Sequence, residues 1–498
     1  MIRVYCCSRE SQSSCQKVRS KNQGICDDEE PGCLFFLVGD SLNVQQILLH
    51  MIPRLAQGLL IMAGASLSLA VAELENFDRL TFHGVPKSLS AEAVTEDWPR
   101  FLGPRHDLHS KESRLLKVFP EEGLAKVWEV KRGSGHAPTV ISGRRLVMFH
   151  VLDGKEVIEC LHTETGRRYW KYEYPVRLGS SYGVEDAPRS GPVIDGEFVF
   201  VVGIRGDLHC LRLESGKLIW KRNLEEDYGP APFFFGRGGC PLVQGEQLII
   251  NVGGKICVGG FDKRTGRLLW STKHKWNASY ASPVPAVLNG KKRVLVFTGG
   301  MVDPPTGGLL SIDPNNGRVD DSFPWRARMF ASVNAASPVA VGNAVFITES
   351  YTEGGALVEV APDGEFRMRW KAPRFGSQFT TPVFHEGHLY GVSGTAGTEI
   401  VCHEVGTGKE KWRDGIDLAN TRLGRASLLR VDGAFLCLGA QGTLLWLDLS
   451  PGGARVLAKT QLFRAPETWG VPALSRGLLY VNQNAFGSRL VCYDLRGK

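Results

Sequence analysis

One short pattern recurs along the chain. A polar turn that contains Gly separates two apolar runs, and in the clearest copies a Trp follows four residues after the Gly. The copies read CLHTETGRRYW at 160–170, CLRLESGKLIW at 210–220 and GFDKRTGRLLW at 260–270. Units of about 40–50 residues with four short β-rich runs each indicate the blades of a β-propeller. Because a lone blade cannot bury both of its faces, the blades must close into a ring.

Two landmarks count the units, and both give eight. The first is the Trp of the last strand in each unit, and the second is a small residue followed by Pro that opens each unit. The first series is Trp128, Trp170, Trp220, Trp270, Trp325, Trp370 and Trp412, with an eighth position near Leu457 where the Trp is lost. The second series is Ala137-Pro138, Gly191-Pro192, Cys240-Pro241, Ser282-Pro283, Ser337-Pro338, Thr381-Pro382 and Val471-Pro472, with Ser427-Leu428 as its degenerate member.

The sequence therefore predicts an all-β fold, an eight-bladed β-propeller of four-stranded antiparallel blades over residues 124–498. The last unit supplies only three strands, so we expect the segment 124–130 to add the fourth and to remove an exposed edge. The Gly of each turn favours a positive φ. The seven Trp residues of the series are expected to be structural and to pack against the adjacent blade, since a cofactor would not need so many copies.

The region before the repeats has a different character. Residues 51–74 read MIPRLAQGLLIMAGASLSLAVAEL, with an early Arg, an apolar run and small residues before Glu73, which is typical of a secretory signal peptide. We predict a signal peptide over 51–72, cleavage after Ala72, export to the periplasm or the medium, and no stable membrane span after cleavage. Residues 1–50 are interpreted as an unstructured, over-extended leader, and 73–123 as a lead-in to the propeller. An uncleaved anchor and a signal with a long first region are the alternatives.

Charge and cysteine usage exclude several classes of protein. The net charge is +7, and no run of Lys and Arg with interleaved aromatic residues occurs, so no nucleic-acid partner is predicted. Seven of the 12 cysteines follow Ala72, an odd number that argues against a disulfide framework. No CxxC or Cys/His spacing suggests zinc, and we predict no metal site. No GxSxG motif occurs and no catalytic residues are predicted.

The loops that precede each Pro landmark are the candidate binding site, because propellers commonly bind ligands at one end of the channel. These loops are rich in aromatic residues, Gly and Arg, and guanidinium groups favour a carboxylate, a phosphate or an acidic segment. The alternative is that the arginines pair with nearby carboxylates and hold the loops. The predicted ligand-binding residues are Arg189, Arg237, Arg328, Asn334, Arg425 and Asp186.

The repeat resembles the pyrroloquinoline-quinone-like (PQQ-like) eight-bladed propeller family, whose unit runs roughly A-x-D-x-x-T-G-[KR]-x-x-W. The segment GGFDKRTGRLLW matches at Asp262, Thr265, Gly266 and Trp270, and DWPRFLGPRHD at 97–107 looks like the lead-in of such propellers. The resemblance implies one of two kinds of function. Some members are quinoprotein dehydrogenases with PQQ and calcium in the channel, and others are BamB-type scaffolds that bind proteins.

This chain departs from both kinds of member. The dehydrogenases carry a disulfide between adjacent cysteines, whereas the only adjacent pair here is Cys6-Cys7, in the leader. Their calcium-binding Glu, Asn and Asp residues have no recognisable match, and the Cys that anchors BamB-type proteins after the signal is also missing. We expect a monomeric, non-enzymatic scaffold without a cofactor, which binds a protein, an acidic polymer or a small anion at the channel mouth. The alternative is a PQQ-dependent dehydrogenase with calcium, and a polysaccharide hydrolase or lyase is a weaker third hypothesis.

Overall fold

The computed structural model describes residues 74–176, 187–230, 235–300, 305–329, 332–395, 399–414, 423–485 and 487–497. The predicted leader at 1–50, the predicted signal peptide at 51–72 and the candidate Asp186 lie outside the described residues. Within the described part of the chain, no helix is long and apolar enough to cross a membrane.

Eight antiparallel sheets form the ring, which confirms the predicted all-β, eight-bladed propeller. Three strands precede the first blade: β1 (Leu80–Phe82), β2 (His109–Ser110) and β3 (Lys126–Lys131). The first blade consists of β4 (Val140–Ser142), β5 (Arg145–Leu152), β6 (Lys155–His162) and β7 (Arg168–Pro175). The second consists of β8 (Val193–Asp195), β9 (Phe198–Val202), β10 (Asp207–Arg212) and β11 (Leu218–Asn223). The helix α1 (Leu224–Tyr228) follows, and among the described residues it is the only α-helix.

The next three blades repeat the same antiparallel order. The third contains β12 (Leu242–Gln244), β13 (Gln247–Asn251), β14 (Val258–Asp262) and β15 (Leu268–Thr272). The fourth contains β16 (Val284–Leu288), β17 (Lys291–Thr298), β18 (Gly308–Ile312) and β19 (Val319–Pro324). The fifth contains β20 (Val339–Val341), β21 (Ala344–Glu349), β22 (Gly354–Val360) and β23 (Phe366–Ala372).

The last three blades complete the ring. The sixth contains β24 (Val383–His385), β25 (His388–Ser393), β26 (Glu399–Glu404) and β27 (Glu410–Asp414). The seventh contains β28 (Ser427–Val431), β29 (Ala434–Leu438), β30 (Thr443–Ser450) and β31 (Gly453–Gln461). The eighth contains β32 (Ala473–Ser475), β33 (Leu478–Gln483) and β34 (Arg489–Asp494). The innermost strand β32 of the eighth blade contacts β4 of the first.

The two halves of the eighth blade come from opposite parts of the chain. Strand β3 pairs antiparallel with β34, with Trp128 opposite Cys492, so the predicted closure by an N-terminal strand is confirmed. The strand spans 126–131, where the sequence predicted 124–130. Two additions were not predicted. Strand β1 pairs outside β3, and β2 pairs in parallel with β28, so these two blades each carry a fifth strand.

The repeat Trp and the turn Gly meet between neighbouring blades. A Cβ atom on Gly216 would lie 2.5 Å from the ring of Trp170 in the preceding blade, and one on Gly266 would lie 2.6 Å from Trp220. Trp170 also donates its Nε1–H to the carbonyl of Leu213, at 2.8 Å. The turn therefore needs glycine both for its positive φ and for the space that the indole ring occupies.

The fourth blade does not follow the predicted Trp series. Asp321 lies opposite Ser311, at the register where Trp170 faces Cys160 in the first blade. The assignment of Trp325 to this repeat position is therefore wrong, because the fourth residue after the turn Gly317 is Asp321. The carboxylate of Asp321 accepts a hydrogen bond from the backbone N–H of Phe366 in the fifth blade, at 2.6 Å. It connects the two blades where other repeats use an indole.

The seventh blade moves its Trp to the neighbouring strand. Ala458 occupies the repeat position that the sequence placed near Leu457, and it lies opposite Trp446 on β30. Trp446 is fully buried and donates its Nε1–H to the carbonyl of Leu116, at 3.0 Å. The large and small residues of the pair have exchanged strands, which keeps the same space filled.

Candidate functional site

The small residues of the Pro landmarks connect the inner strands of adjacent blades. The N–H of Gly191 donates to Sγ of Cys240 at 3.1 Å, and the N–H of Cys240 donates to Oγ of Ser282 at 3.0 Å. The N–H of Ser282 donates to Oγ of Ser337 at 3.2 Å, and the N–H of Ser337 donates to Oγ1 of Thr381 at 3.1 Å. The landmark residues thus form a series of backbone-to-side-chain hydrogen bonds across five blades. These bonds hold the starts of the inner strands together.

One cavity lies where these strand starts converge. Its volume is about 330 Å³, and all eight blades contribute to its lining. We call it the mouth cavity. Among the described residues that line it, none is Asp or Glu. The side chains that define its chemistry are Phe101, His136, Arg189, Phe235, Tyr280, Tyr351, Gln378, Phe379, Arg425 and Trp469.

Trp469 is held in place by three neighbours in the mouth cavity. The ring of His136 stacks on it with centroids 4.7 Å apart and an angle of 14° between the ring planes. Phe379 lies at 5.5 Å between centroids, and the guanidinium carbon of Arg425 lies 5.0 Å from the ring centroid. Nε of Arg425 donates to Oε1 of Gln378, at 2.7 Å. The cavity therefore presents a fixed aromatic surface next to a fixed cation.

His136 is neutral at physiological pH. Burial, and then the positive charges of Arg189 and Arg132, lower the pKa of its imidazole to about 3. Nδ1 lies 2.8 Å from the side-chain nitrogen of Asn484, which fits an imidazole that accepts at Nδ1 and carries its proton on Nε2. With so low a pKa, His136 is a poor general base near pH 7, but it offers a hydrogen-bond donor.

Two arginines line the mouth cavity, whereas Arg132, Arg237 and Arg326 lie outside its lining. Arg189 donates from Nη1 to the carbonyl of Phe235 at 2.7 Å, and its guanidinium carbon lies 5.2 Å from the centroid of that ring. Burial lowers the pKa of Arg132, Arg237 and Arg326 to about 10, a value at which each remains cationic at neutral pH. Among the described lining residues, the charged side chains are Arg189 and Arg425.

The structure sorts the predicted binding residues into two groups. Arg189 and Arg425 line the mouth cavity, and their role in binding stays a prediction. Arg237 is 4% exposed and donates from Nη1 to the carbonyl of Val252, at 3.1 Å. Asn334 is fully buried and donates to the carbonyls of Thr298 and Trp325. Arg328 is exposed, and none of these last three candidates lines the cavity.

Sequence reasoning missed most of the side chains that define the mouth cavity, among them His136, Trp469 and Phe101. His136 and Trp469 lie in the loops GSGHA and PETWG, which belonged to the candidate loop set, but the residues chosen from that set were arginines, Asn334 and Asp186. The stacking of His136 on Trp469 joins the first and the eighth blade, a contact that no local pattern encodes. Phe101 comes from the lead-in, outside the repeats, where no periodic signal exists.

The opposite ends of the inner strands are covered by the lead-in. Trp98 pairs with Ile141 of β4 through two backbone hydrogen bonds, of 3.1 and 2.8 Å. The carboxylate of Glu112, 1% exposed, accepts from the N–H groups of Arg476 and Gly477, each at 2.6 Å. Burial raises the pKa of Glu112 in spite of these bonds. The lead-in is therefore integrated into the ring.

The fold and the repeat decide the family. The PQQ_2 family model, described as outer membrane protein assembly factor BamB, matches residues 154–414. The chain belongs to this PQQ-like family. The match begins in the first blade and ends in the sixth, so it covers most of the ring.

Proteins similar to this PQQ-like protein include BamB and several dehydrogenases. It is 28% identical over 164 residues to a 1-butanol dehydrogenase (cytochrome c) of Thauera butanivorans, a match that covers 31% of this chain and 23% of that protein. The chain thus matches under a quarter of that relative's length. The crystal structure of BamB from Moraxella catarrhalis is 15% identical with a TM-score of 0.50, covering 74% of this chain and 97% of that one.

Two solved dehydrogenases share the same fold. A europium-containing methanol dehydrogenase has a TM-score of 0.60 at 12% identity, covering 80% of this chain and 98% of that one. A quinohemoprotein alcohol dehydrogenase from Comamonas testosteroni has a TM-score of 0.58 at 14% identity, covering 81% of each chain. At these identities the likeness establishes the architecture and leaves the activity open.

The described residues do not fit a calcium-bound quinone. Trp469 with Arg189 and Arg425 suits a planar anion, but calcium requires several oxygen ligands, and no carboxylate is among the described lining residues. Nor does the described part of the chain contain a group of three or more His, Cys, Asp or Glu residues that could hold a metal ion. The seven described cysteines, Cys160, Cys210, Cys240, Cys257, Cys402, Cys437 and Cys492, are free and buried.

Proposed function

We propose that this PQQ-like propeller is a non-enzymatic, exported binding protein that holds an acidic segment of a partner protein in the mouth cavity. One observation carries the proposal: all eight blades contribute to a single cavity whose described lining combines aromatic rings with arginines and contains no carboxylate. Arg189 and Arg425 supply charge, Trp469 supplies a rigid apolar surface, and His136 supplies a neutral donor. We also propose that the protein acts as a monomer, since the closed ring leaves no blade in need of a partner.

A peptide titration tests this function. The probe is a fluorescent peptide rich in Asp, Glu and Phe, and its matched control carries Asn and Gln in place of the acidic residues. We expect the acidic peptide to bind more tightly, and Trp469→Ala and Arg425→Ala to weaken it at least tenfold, since central aromatic and Arg residues dominate such interfaces. Arg455→Ala is the control variant, because that side chain is 72% exposed and pairs with Asp448 on the seventh blade's outer strands.

A PQQ-dependent dehydrogenase is the second candidate. The partial match to a 1-butanol dehydrogenase and the flat ring of Trp469 in the cavity favour it. Titration with PQQ, with and without calcium, separates the two candidates. Saturable, calcium-dependent binding of PQQ would overturn the proposal of a binding protein. Equal binding of the acidic and the neutral peptide would also contradict it.

A further inference from the structure

We infer that the channel is a blind, anion-selective well with Phe101 as its floor, so that a ligand inserts a carboxylate-bearing end and does not thread through the ring. This inference deepens the proposed function and rests on it. It concerns the lead-in, which lies outside the repeats, and it makes Phe101 a residue that determines how deep a ligand can reach. Four observations lead to it.

The lead-in lies on the inner hairpins of several blades. Besides the Trp98–Ile141 pairing at the first blade, the N–H of Ile194 in the second blade donates to the carbonyl of Pro99, at 2.9 Å. In the seventh blade the N–H of Arg430 donates to the carbonyl of Leu108, at 2.9 Å. The ring of His109 also lies 5.9 Å from that of His385 in the sixth blade, which is opposite the second blade in the ring of eight, so the segment spans this end of the ring.

Apolar side chains of the lead-in pack into the hydrophobic core of the ring. Trp98, Leu102 and Leu108 are each at most 2% exposed and belong to the largest hydrophobic core cluster. Glu112 adds its hydrogen bonds to the eighth blade. Because these groups are buried together with the ring, the segment cannot leave without exposing the core.

A tight turn presents Phe101 to the cavity. The N–H of Gly103 donates to the carbonyl of Arg100 at 3.0 Å, which places Phe101 at the second position of a β-turn. Gly103 has a φ of +79°, and a Cβ atom there would lie 2.8 Å from the ring of Trp98. Phe101 is half-buried and lines the mouth cavity, whereas Leu102 beside it packs into the core.

The charged side chains described in the cavity wall are all positive. Arg189 and Arg425 line it, His136 lines it as a neutral donor, and the described lining contains no carboxylate. An anionic end can therefore approach Phe101 through a favourable potential, whereas a cation meets repulsion in a site of reduced dielectric.

Thiol labelling at the floor tests the inference without any natural ligand. Phe101→Cys in the full chain is treated with two methanethiosulfonates of similar size, the anionic sulfonatoethyl and the cationic trimethylammonioethyl reagent. Burial raises the pKa of native thiols, to about 12 for Cys257 and Cys437, so these stay unreactive near pH 7. Mass spectrometry of the peptide that contains position 101 separates its labelling from that of the leader cysteines.

We expect the ratio of the anionic to the cationic labelling rate to be at least about tenfold higher at position 101 than at position 82 in Phe82→Cys. Phe82 is 50% exposed and lies outside the mouth cavity, so it corrects for the intrinsic reactivity of the two reagents. The double substitution Arg189→Ala with Arg425→Ala should bring the two ratios within about twofold.

Each result decides the inference. A thiol at position 101 that does not react, in a folded variant, overturns Phe101 as an accessible floor. A ratio equal to that of Phe82→Cys, or one unchanged by the double substitution, overturns anion-selective entry through the mouth. If Phe101→Cys does not fold, Thr380→Cys on the cavity wall must show the same preference, and its absence is equally decisive.

Peptides then locate the carboxylate that enters. One acidic peptide carries an amidated C-terminus, and a second carries a free C-terminal carboxylate with neutral side chains. Protection of position 101 by the first indicates an acidic side chain, and protection by the second indicates a chain terminus. Anion-selective labelling without protection by either peptide would refute the proposed partner and leave the well intact.

Discussion

The two faces of the ring differ in how they accommodate buried charge, and strand β6 shows the contrast within four residues. Glu156, near the mouth, and Glu159, beside the N-terminal segment, are both fully buried. Against the effect of burial, hydrogen bonds from His150 and Arg79 lower the pKa of Glu159 to about 2. Burial raises the pKa of Glu156 to about 7, where the N–H of Ile204 is its hydrogen-bond donor at 2.8 Å.

The charge network around Glu159 is expected to stabilise the fold, whereas the mouth cavity is expected to bind a ligand. On the N-terminal side, Arg79 and Arg168 both contact Glu159, and Arg168 also contacts Glu75, so the segment before the repeats is tied to the first blade by a charge network. On the mouth side, cations are arranged around an open cavity that lacks carboxylates among its described residues. We therefore expect substitutions on the first side to change stability and those on the second to change binding.

The largest effect should follow from Glu159→Gln. The substitution removes the charge that neutralises Arg79 and Arg168, and breaking a buried ion pair costs about 3–5 kcal/mol of unfolding free energy. Denaturant-induced unfolding measures it. The control is Glu173→Gln, since Glu173 is partly exposed and its pairs with Lys155 and Lys171 should contribute under about 1 kcal/mol. Equal costs at the two positions would contradict the contrast between the buried network and the surface.

Glu156 should contribute one component of the pH dependence of stability, opposite in sign to that of buried histidines such as His136, whose pKa is lowered. Its folded-state pKa of about 7 exceeds the usual 4.5, so the folded protein binds this proton more tightly than the unfolded chain does. Stability is therefore highest below about pH 4.5 for this group and falls as the pH rises to about 7, by ~3 kcal/mol in total. Glu156→Gln should remove this contribution to the slope. Parallel wild-type and variant curves of unfolding free energy between pH 5 and 8 would show that Glu156 is not the responsible group.

Glu112→Gln should have an intermediate effect. An amide retains one acceptor oxygen, so at least one of the bonds from the N–H groups of Glu96, Arg476 and Gly477 loses its acceptor. The expected cost is about 1–3 kcal/mol of unfolding free energy. Thermal unfolding measures the loss, and the acidic peptide should still bind the folded variant. A loss of peptide binding without a loss of stability would place Glu112 in the binding function.

Trp469→Ala should have the smallest effect on stability and a clear effect on binding. The ring contacts His136, Phe379 and Arg425 at the solvent-accessible mouth, so its removal leaves the blade cores intact. A tenfold loss of peptide affinity corresponds to about 1.4 kcal/mol. Fluorescence anisotropy measures the affinity, and Trp469→Phe should recover part of it. Full affinity in the Ala variant would remove Trp469 from the binding surface.

The sequence predicted the ring well because each blade is encoded locally. Four short strands and one Gly turn recur in seven units, and the unpaired strand at 124–130 indicated how the three-stranded eighth unit closes. The Trp series was wrong in the fourth blade, where the spacing from the turn Gly to the Trp was not kept at four residues. Trp325 lies eight residues after Gly317, and the register places Asp321 at the repeat position.

The candidate site was only partly predictable, because it depends on distant segments that meet. The loops before the Pro landmarks led to Arg189 and Arg425, which line the mouth cavity, yet composition could not separate them from Arg237, whose side chain is buried outside it. The stacking of His136 on Trp469 and the position of Phe101 at the cavity arise from packing between parts of the chain that no periodicity relates.

The pairing of β3 with β34 has a consequence for synthesis. The eighth blade needs two strands that are far apart in the sequence, and Trp128 meets Cys492 only after all the blades between them have been synthesised. Contacts of such sequence separation slow folding, so closure of the ring is expected to be a late step. A chain cut short before Arg489 lacks β34, so β3 and β33 each keep an unpaired edge. Such edges make an incomplete chain prone to aggregation.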